Sequence, residues 1–138
     1  MKLSFVIPVF NEAQSLHTLY DEIKANISGY DYEIIFIDDG STDTSFYVLT
    51  ELADNDKNVK LIKFRRNFGK AEALNIGFKT AVGDIVFTMD ADLQDDPAEI
   101  PSFISKVNEG WDLVSGWKVK RHDPITKTYP SLLFNFVT

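Results

Sequence analysis

The stretch DIVFTMDADLQDDP, residues 84–97, sets an apolar run, Ile85–Met89, directly against Asp90, Asp92, Asp95 and Asp96. The run is short, β-branched and aromatic, as in a strand buried on both faces. Carboxylates crowded at one strand end repel one another, so positive charge belongs there. The same order, apolar run, then polar or acidic loop, then helical spacing, recurs upstream. Lys2–Phe10 reads as a first strand, and Leu16, Leu19, Tyr20, Ile23 and Ile27 follow at helical spacing. Tyr32–Ile37 is a second strand, stopped by Asp38-Asp39-Gly40. Phe46, Leu49, Leu52 and Ala53 predict a helix capped by Ser41, Thr42 or Asp43.

Val59–Phe64 reads as a third strand and Ala71–Ala81 as a helix packed through Leu74, Gly77 and Phe78. Beyond Ile85–Met89, Pro97 opens a helix with Asp95 or Asp96 as its cap and Ile100, Phe103, Ile104 and Val107 as its stripe. Asp112–Ser115 is a short fifth strand. Strand and helix alternate throughout, so the fold class is α/β, with a mainly parallel sheet and helices on both faces. Ligands of such sheets bind beyond the carboxyl ends of the strands. Those ends are the loops Pro8–Glu12, Asp38–Asp43, Arg65–Lys70, Asp90–Asp96 and Gly116–Arg121.

A length of 138 residues suits one domain with a real core. The absence of cysteine excludes a disulfide framework and a thiolate metal site. Net charge is −7, which argues against nucleic acid as a partner. The N-terminus lacks the features of a signal peptide, and no stretch has the length of a spanning helix. Residues 118–138 carry Lys118, Lys120, Arg121 and Lys127 against Asp123, a local excess of base on an acidic body. Tyr129, Leu132, Leu133, Phe136 and Val137 then form an amphipathic stripe at helical spacing, and the chain stops inside it. The expectation is an N-terminal part of a longer protein, with this basic, amphipathic end turned to a membrane surface or packed as a core helix.

Asp90 and Asp92, two apart just past a strand, can be brought by a turn onto one ion. Oxygen ligands favour Mg²⁺ or Mn²⁺ over zinc, and Gln94 offers a neutral oxygen. Asp95 and Asp96 fit equally well as turn-formers and caps. Acids at Asp38 and Asp39 could accept hydrogen bonds from a ribose or a base N–H, although DGS is also a good turn and Asp43 a good cap. Glu12 interacts favourably with a helix N-terminus without any further function. The basic loop Arg65–Lys70 precedes a helix, an arrangement that suits phosphate and is also a common solvated surface. His17 and His122 stand alone and take no role.

Taken in order, FVIPVFNE, DDGSTD, RNFGKAEALNIGF, DADLQDDP and VSGWKVKR resemble the successive motifs of inverting family 2 glycosyltransferases. The nearest resemblance is to the polyprenyl-phosphate branch, the bactoprenol glucosyltransferases and dolichyl-phosphate mannose synthases. It implies the GT-A fold. It implies a nucleotide-binding set of Pro8, Phe10, Glu12, Asp38, Asp39, Lys70, Asp90 and Ala91, with Asp39 facing the base. Asp90, Asp92 and Gln94 become metal ligands, and Asp92, Lys118 and Arg121 the catalytic group at the diphosphate. Gly116-Trp117-Lys118 departs from the Gly-x-Arg of many relatives, and Lys118 offers charge without a bidentate fork. The implied cofactor is Mg²⁺ or Mn²⁺. The donor is a nucleotide sugar, with a UDP-sugar favoured and GDP-mannose the alternative. The acceptor is a polyprenyl phosphate at the cytoplasmic face of the membrane.

Two other readings carry distinct expectations. A related transferase acting on a sugar hydroxyl would need a carboxylate base, whereas a phosphate acceptor is already anionic. A receiver-like phospho-acceptor module also pairs acids with a lysine at a sheet rim. Its acid pair should follow the first strand; here it follows the second, and DADLQ has no counterpart. A chain that only binds nucleotide is the remaining alternative.

Overall fold

The computed structural model describes residues 1–110, together with the backbone of 113–119 and 128–135. Six strands form one sheet in the order β3-β2-β1-β4-β6-β5: β1 Lys2–Val9, β2 Asp31–Asp38, β3 Val59–Lys63, β4 Ile85–Thr88, β5 Leu113–Val119 and β6 Thr128–Asn135. β3, β2, β1 and β4 run parallel. The helices are α1 Leu16–Ala25, α2 Ser45–Asn55, α3 Lys70–Thr80 and α4 Ile100–Asn108, the last preceded by a 3-10 turn, Pro97–Glu99. Among the described residues no helix is long and apolar enough to cross a membrane.

Burial on both faces explains the nearly unbroken apolar strands. Leu3, Phe5, Ile7 and Val9 of β1 join Ile34 and Phe36 of β2 in a core shared with α1, α2 and α4. The intervening Val6, Ile35, Ile37 and Val86 pack with Ala73 of α3 on the other face. Gly77 sets the depth of that second packing, because a Cβ there would lie 2.2 Å from Val6 Cγ1. Pro8 is tolerated in a central strand because the β1–β4 ladder ends at Val6, so no β4 bond is asked of its nitrogen.

The carboxyl-terminal third differs from expectation. The stripe expected as a helix over Tyr129–Val137 is instead strand β6 as far as Asn135, antiparallel to both β4 and β5. A short apolar run does not distinguish strand from helix by spacing, and here the open edge of β4 supplies the partner. Pro130 lies beyond the three β6 residues paired with β4. The fifth strand also runs longer than Asp112–Ser115. Gly116, Trp117 and Lys118, expected in a loop, pair with Ser131, Pro130 and Tyr129. Arg121 lies outside the described residues, as do residues 136–138.

At the amino-terminal end of the sheet, Glu33 is a buried carboxylate that sequence reasoning passed over. It accepts hydrogen bonds from Ser4 Oγ at 2.6 Å, Val82 N at 2.7 Å and Lys60 Nζ at 2.6 Å. Burial alone would raise its pKa; the lysine, serine and backbone donors outweigh burial and hold it below the ordinary value. This knot ties β1, β2, β3 and the approach to β4 together, at the opposite end from the acidic rim.

Candidate active site

The carboxyl ends of β1, β2 and β4 and the start of α3 enclose one cleft of about 210 Å³. Its lining contains Pro8 at the end of β1 and Phe10 and Glu12 after it, Asp39 after β2, Lys70, and Asp90, Ala91 and Asp92 after β4. These residues come from four separated segments, and all eight belong to the set singled out in the sequence. Val9 completes the lining.

Each loop is held by specific bonds. Asn11, at φ 53°, accepts from Thr42 N at 2.8 Å and Asp43 N at 3.2 Å through Oδ1. Its own N–H donates to Ser41 Oγ, and Glu12 N donates to Ser45 Oγ, each at 2.9 Å. These bonds tie the first two loops together. Asp43 accepts from Ser45 N at 2.8 Å, a turn bond just ahead of α2; the N-cap of that helix is Thr44, with no capping bond from its side chain, and not Ser41, Thr42 or Asp43 as expected.

Asp39 is almost fully buried and accepts from Phe68 N at 2.7 Å and from Gly69 N at 3.1 Å. It thus fastens the Arg65–Gly69 loop to the end of β2, immediately before α3. Gly40, at φ +77°, lets that loop pass: a Cβ would lie 2.4 Å from the backbone of Arg66 and Asn67. Asp38 sits differently. It is fully buried and absent from the cleft lining, with Oδ1 accepting from Ser41 N at 3.0 Å. Consecutive residues at a strand end turn to opposite faces, so Asp39 reaches the cleft and Asp38 holds the turn behind it.

The DADLQ loop is organised by a residue read only as a turn-former or cap. Asp95 is buried, and its Oδ2 accepts from Asp90 N at 2.8 Å. Asp96 caps the 3-10 turn through Ala98 N at 3.0 Å. Leu93 takes φ 63°, and Gln94 N donates to Asp92 Oδ1 at 3.2 Å. Gln94 does not line the cleft; its backbone position beside Asp92 is what the structure gives. The Ser15 hydroxyl donates to the Ala91 carbonyl, joining this loop to the start of α1.

Lys70 Nζ lies 2.6 Å from Asp90 Oδ1. Among the described residues, the cleft's own answer to its acid excess is therefore one lining ammonium. Burial and then the Asp92 carboxylate raise the Glu12 pKa, against a hydrogen bond from Ser15. Among the described residues no cluster of three or more His, Cys, Asp or Glu side chains converges as a complete protein cage. Two carboxylates, Asp90 and Asp92, lining such a cleft would instead suit Mg²⁺ or Mn²⁺, with phosphate and water as its remaining ligands. Nothing of the Lys118 side chain is described, and Arg121 is outside the described residues.

A family model, glycosyl transferase family 2, matches residues 4–137. The chain belongs to glycosyl transferase family 2. Within the family, it is 41% identical over 137 residues to the undecaprenyl-phosphate 4-deoxy-4-formamido-L-arabinose transferase of Klebsiella pneumoniae subsp. pneumoniae, covering 97% of this chain and 42% of that protein. The chain thus spans less than half the length of the curated relatives it matches. A mannosyltransferase from Pyrobaculum calidifontis, solved in complex with GDP-Man and Mn²⁺, aligns with TM-score 0.59 and 28% identity over 65% of this chain and 27% of that one. The glucosyl-3-phosphoglycerate synthase of Mycobacterium tuberculosis, solved with Mn²⁺, UDP and phosphoglyceric acid, aligns with TM-score 0.65 and 26% identity, over 81% and 41%. The fold is the GT-A arrangement of such transferases, as the motif order implies.

Proposed function

We propose that this chain carries the donor site of a glycosyltransferase that moves a sugar, with inversion, from a nucleotide-diphosphate sugar to a polyprenyl phosphate. The observation that carries the reading is the convergence of Glu12, Asp39, Lys70, Asp90 and Asp92 on one cleft at the carboxyl ends of parallel strands. The similar Klebsiella protein is named for an undecaprenyl-phosphate acceptor, which supports a lipid phosphate here. That acceptor places the reaction at a membrane surface, the cytoplasmic face in this reading.

A UDP-sugar is the favoured donor and GDP-mannose the alternative; the two similar solved proteins hold UDP and GDP-Man respectively. Asp39 meets the base, using acceptor capacity beyond its bonds to Phe68 and Gly69. Phe10, nearly half exposed at the cleft, offers it an apolar face. Asp90 and Asp92, with Gln94 beside them, hold Mg²⁺ or Mn²⁺, which neutralises charge on the departing diphosphate. Lys70, Lys118 and Arg121 supply further positive charge there. The phosphate acceptor is ionised before it arrives, so no residue need remove its proton.

The test is calorimetric titration of UDP and GDP with Mn²⁺ and with EDTA, followed by transfer of labelled sugar to a polyprenyl phosphate. Equal nucleotide affinity in Mn²⁺ and in EDTA refutes the metal assignment. Transfer to a sugar hydroxyl but not to the lipid phosphate refutes the acceptor.

A further inference from the structure

Lys70 occupies a position that helix energetics do not favour. It is the first residue of α3, following Gly69 at φ +102°. A cation there faces the positive end of the helix dipole, where an acid or a neutral residue is preferred. Its ammonium instead reaches across the cleft to Asp90, 2.6 Å away on the loop after β4. The contact is partly solvated: the Lys70 side chain is 60% exposed and that of Asp90 25%. Such a pair is held weakly and opens at little cost. By contrast, Lys60 pairs with a carboxylate that is only 1% exposed and has two further donors; that pair is fixed.

Both partners of the Lys70–Asp90 contact line the same cleft, beside Asp92 and Glu12. We infer that Lys70 is a displaceable counter-ion, whose ammonium neutralises Asp90 until a divalent cation claims that carboxylate and then moves onto the diphosphate of the donor. The inference rests on the metal-assisted donor site proposed above. A flexible four-carbon stem and a compact ammonium suit this transfer, where a planar, forked guanidinium would be harder to release. Lys70 thereby keeps the acid pair from standing unneutralised between donor molecules. The same charge serves twice, first against Asp90 and then against phosphate.

Mn²⁺ binding to the full chain without nucleotide, measured by paramagnetic resonance of the free ion, tests this directly. Lys70→Met removes the competitor and keeps a good helix former at an exposed position. The expected result is Mn²⁺ binding roughly two- to fivefold tighter than in the parent, the range for release from a partly exposed pair. UDP binding at saturating Mn²⁺ should weaken about tenfold in the same variant, from loss of a charge-assisted contact. Lys70→Arg, which retains the charge, should show no gain in Mn²⁺ affinity. Unchanged or weaker Mn²⁺ binding by Lys70→Met, with metal-dependent UDP binding intact in the parent, overturns the counter-ion role alone. No Mn²⁺ binding by either form, with UDP held equally in EDTA, overturns the metal-assisted site and this inference with it.

Discussion

Substituting Gly40 by Ala should damage both stability and nucleotide binding, and the structure fixes how. Gly40 sits at φ +77°, where an L-residue costs about 1–2 kcal/mol. The added Cβ would also lie 2.4 Å from Arg66 C and Asn67 N. Carbon contacts are comfortable at about 3.5 Å or more, so the Arg66–Asn67 backbone must retreat by about 1 Å. The hydrogen bonds next along that loop, from Phe68 N at 2.7 Å and Gly69 N at 3.1 Å to Asp39, stretch to or beyond their useful limit. Each is a bond to a charged acceptor, worth about 1.5–3 kcal/mol. With partial relaxation, the expected loss is about 3 kcal/mol in urea unfolding. Gly29 is the control: its φ is +86°, but nothing lies within 4 Å of an added Cβ, so Gly29→Ala should cost only about 1 kcal/mol. Lys70 follows the displaced loop, so UDP affinity should fall in Gly40→Ala and hold in Gly29→Ala. Equal losses in the two variants, or undiminished UDP binding by Gly40→Ala, would refute the account of loop against turn.

Asp39→Ala should weaken UDP binding by roughly 1–3 kcal/mol, about five- to 150-fold, for an unmet polar partner, and should raise amide exchange at Phe68 and Gly69, which the carboxylate anchors; affinity and exchange equal to the parent's would make Asp39 a mere turn residue. Glu33→Gln should cost about 1–3 kcal/mol and flatten the acid limb of the stability profile. The sign follows from the lowered pKa of Glu33 in the folded chain: its contribution is complete above the ordinary value of 4.5 and is lost as pH falls through the lower folded value. Melting temperatures that decline in parallel for parent and variant from about pH 6 to pH 3 would contradict this. UDP binding in EDTA should strengthen as salt is added, because screening relieves repulsion; weakening with salt would mean that the cleft already presents net positive charge.

The parallel half of the fold was legible because its residues obey one rule. Strands buried on both faces must be apolar throughout, and Phe5, Ile7, Phe36 and Ile85 have no alternative environment. The cleft was legible for a related reason. Asp39, Asp90 and Asp92 are polar residues placed where the apolar pattern breaks, and parallel topology gathers those breaks on one rim. Two kinds of information were less visible. Asp38 and Asp39 differ by the face to which a strand end turns them, and a shift of one residue exchanges their roles. Asp95 holds the Asp90 backbone through a bond within its own loop, a tertiary detail with no spacing signal. β6 was misread because its run satisfies helical spacing, and only the neighbouring edges of β4 and β5 decide the matter.

The two ends of the sheet treat buried acid in opposite ways, and the contrast bears on function. Glu33 is surrounded by a hydroxyl, a backbone N–H and an ammonium, so its charge is met by the fold itself. At the rim, Asp39 is met by two backbone N–H groups. Glu12, Asp90 and Asp92 share the cleft with Lys70 as its one cationic lining residue among the described residues. Burial first, and then the Asp92 carboxylate, raise the Glu12 pKa. A nucleoside diphosphate is itself multiply negative, so its approach to such a lining is opposed unless positive charge arrives with it. The arrangement is unfavourable for a bare diphosphate and favourable for a diphosphate carrying a divalent cation. Under the proposed function, acid that would otherwise be a liability in a binding cleft would select the charge-compensated donor.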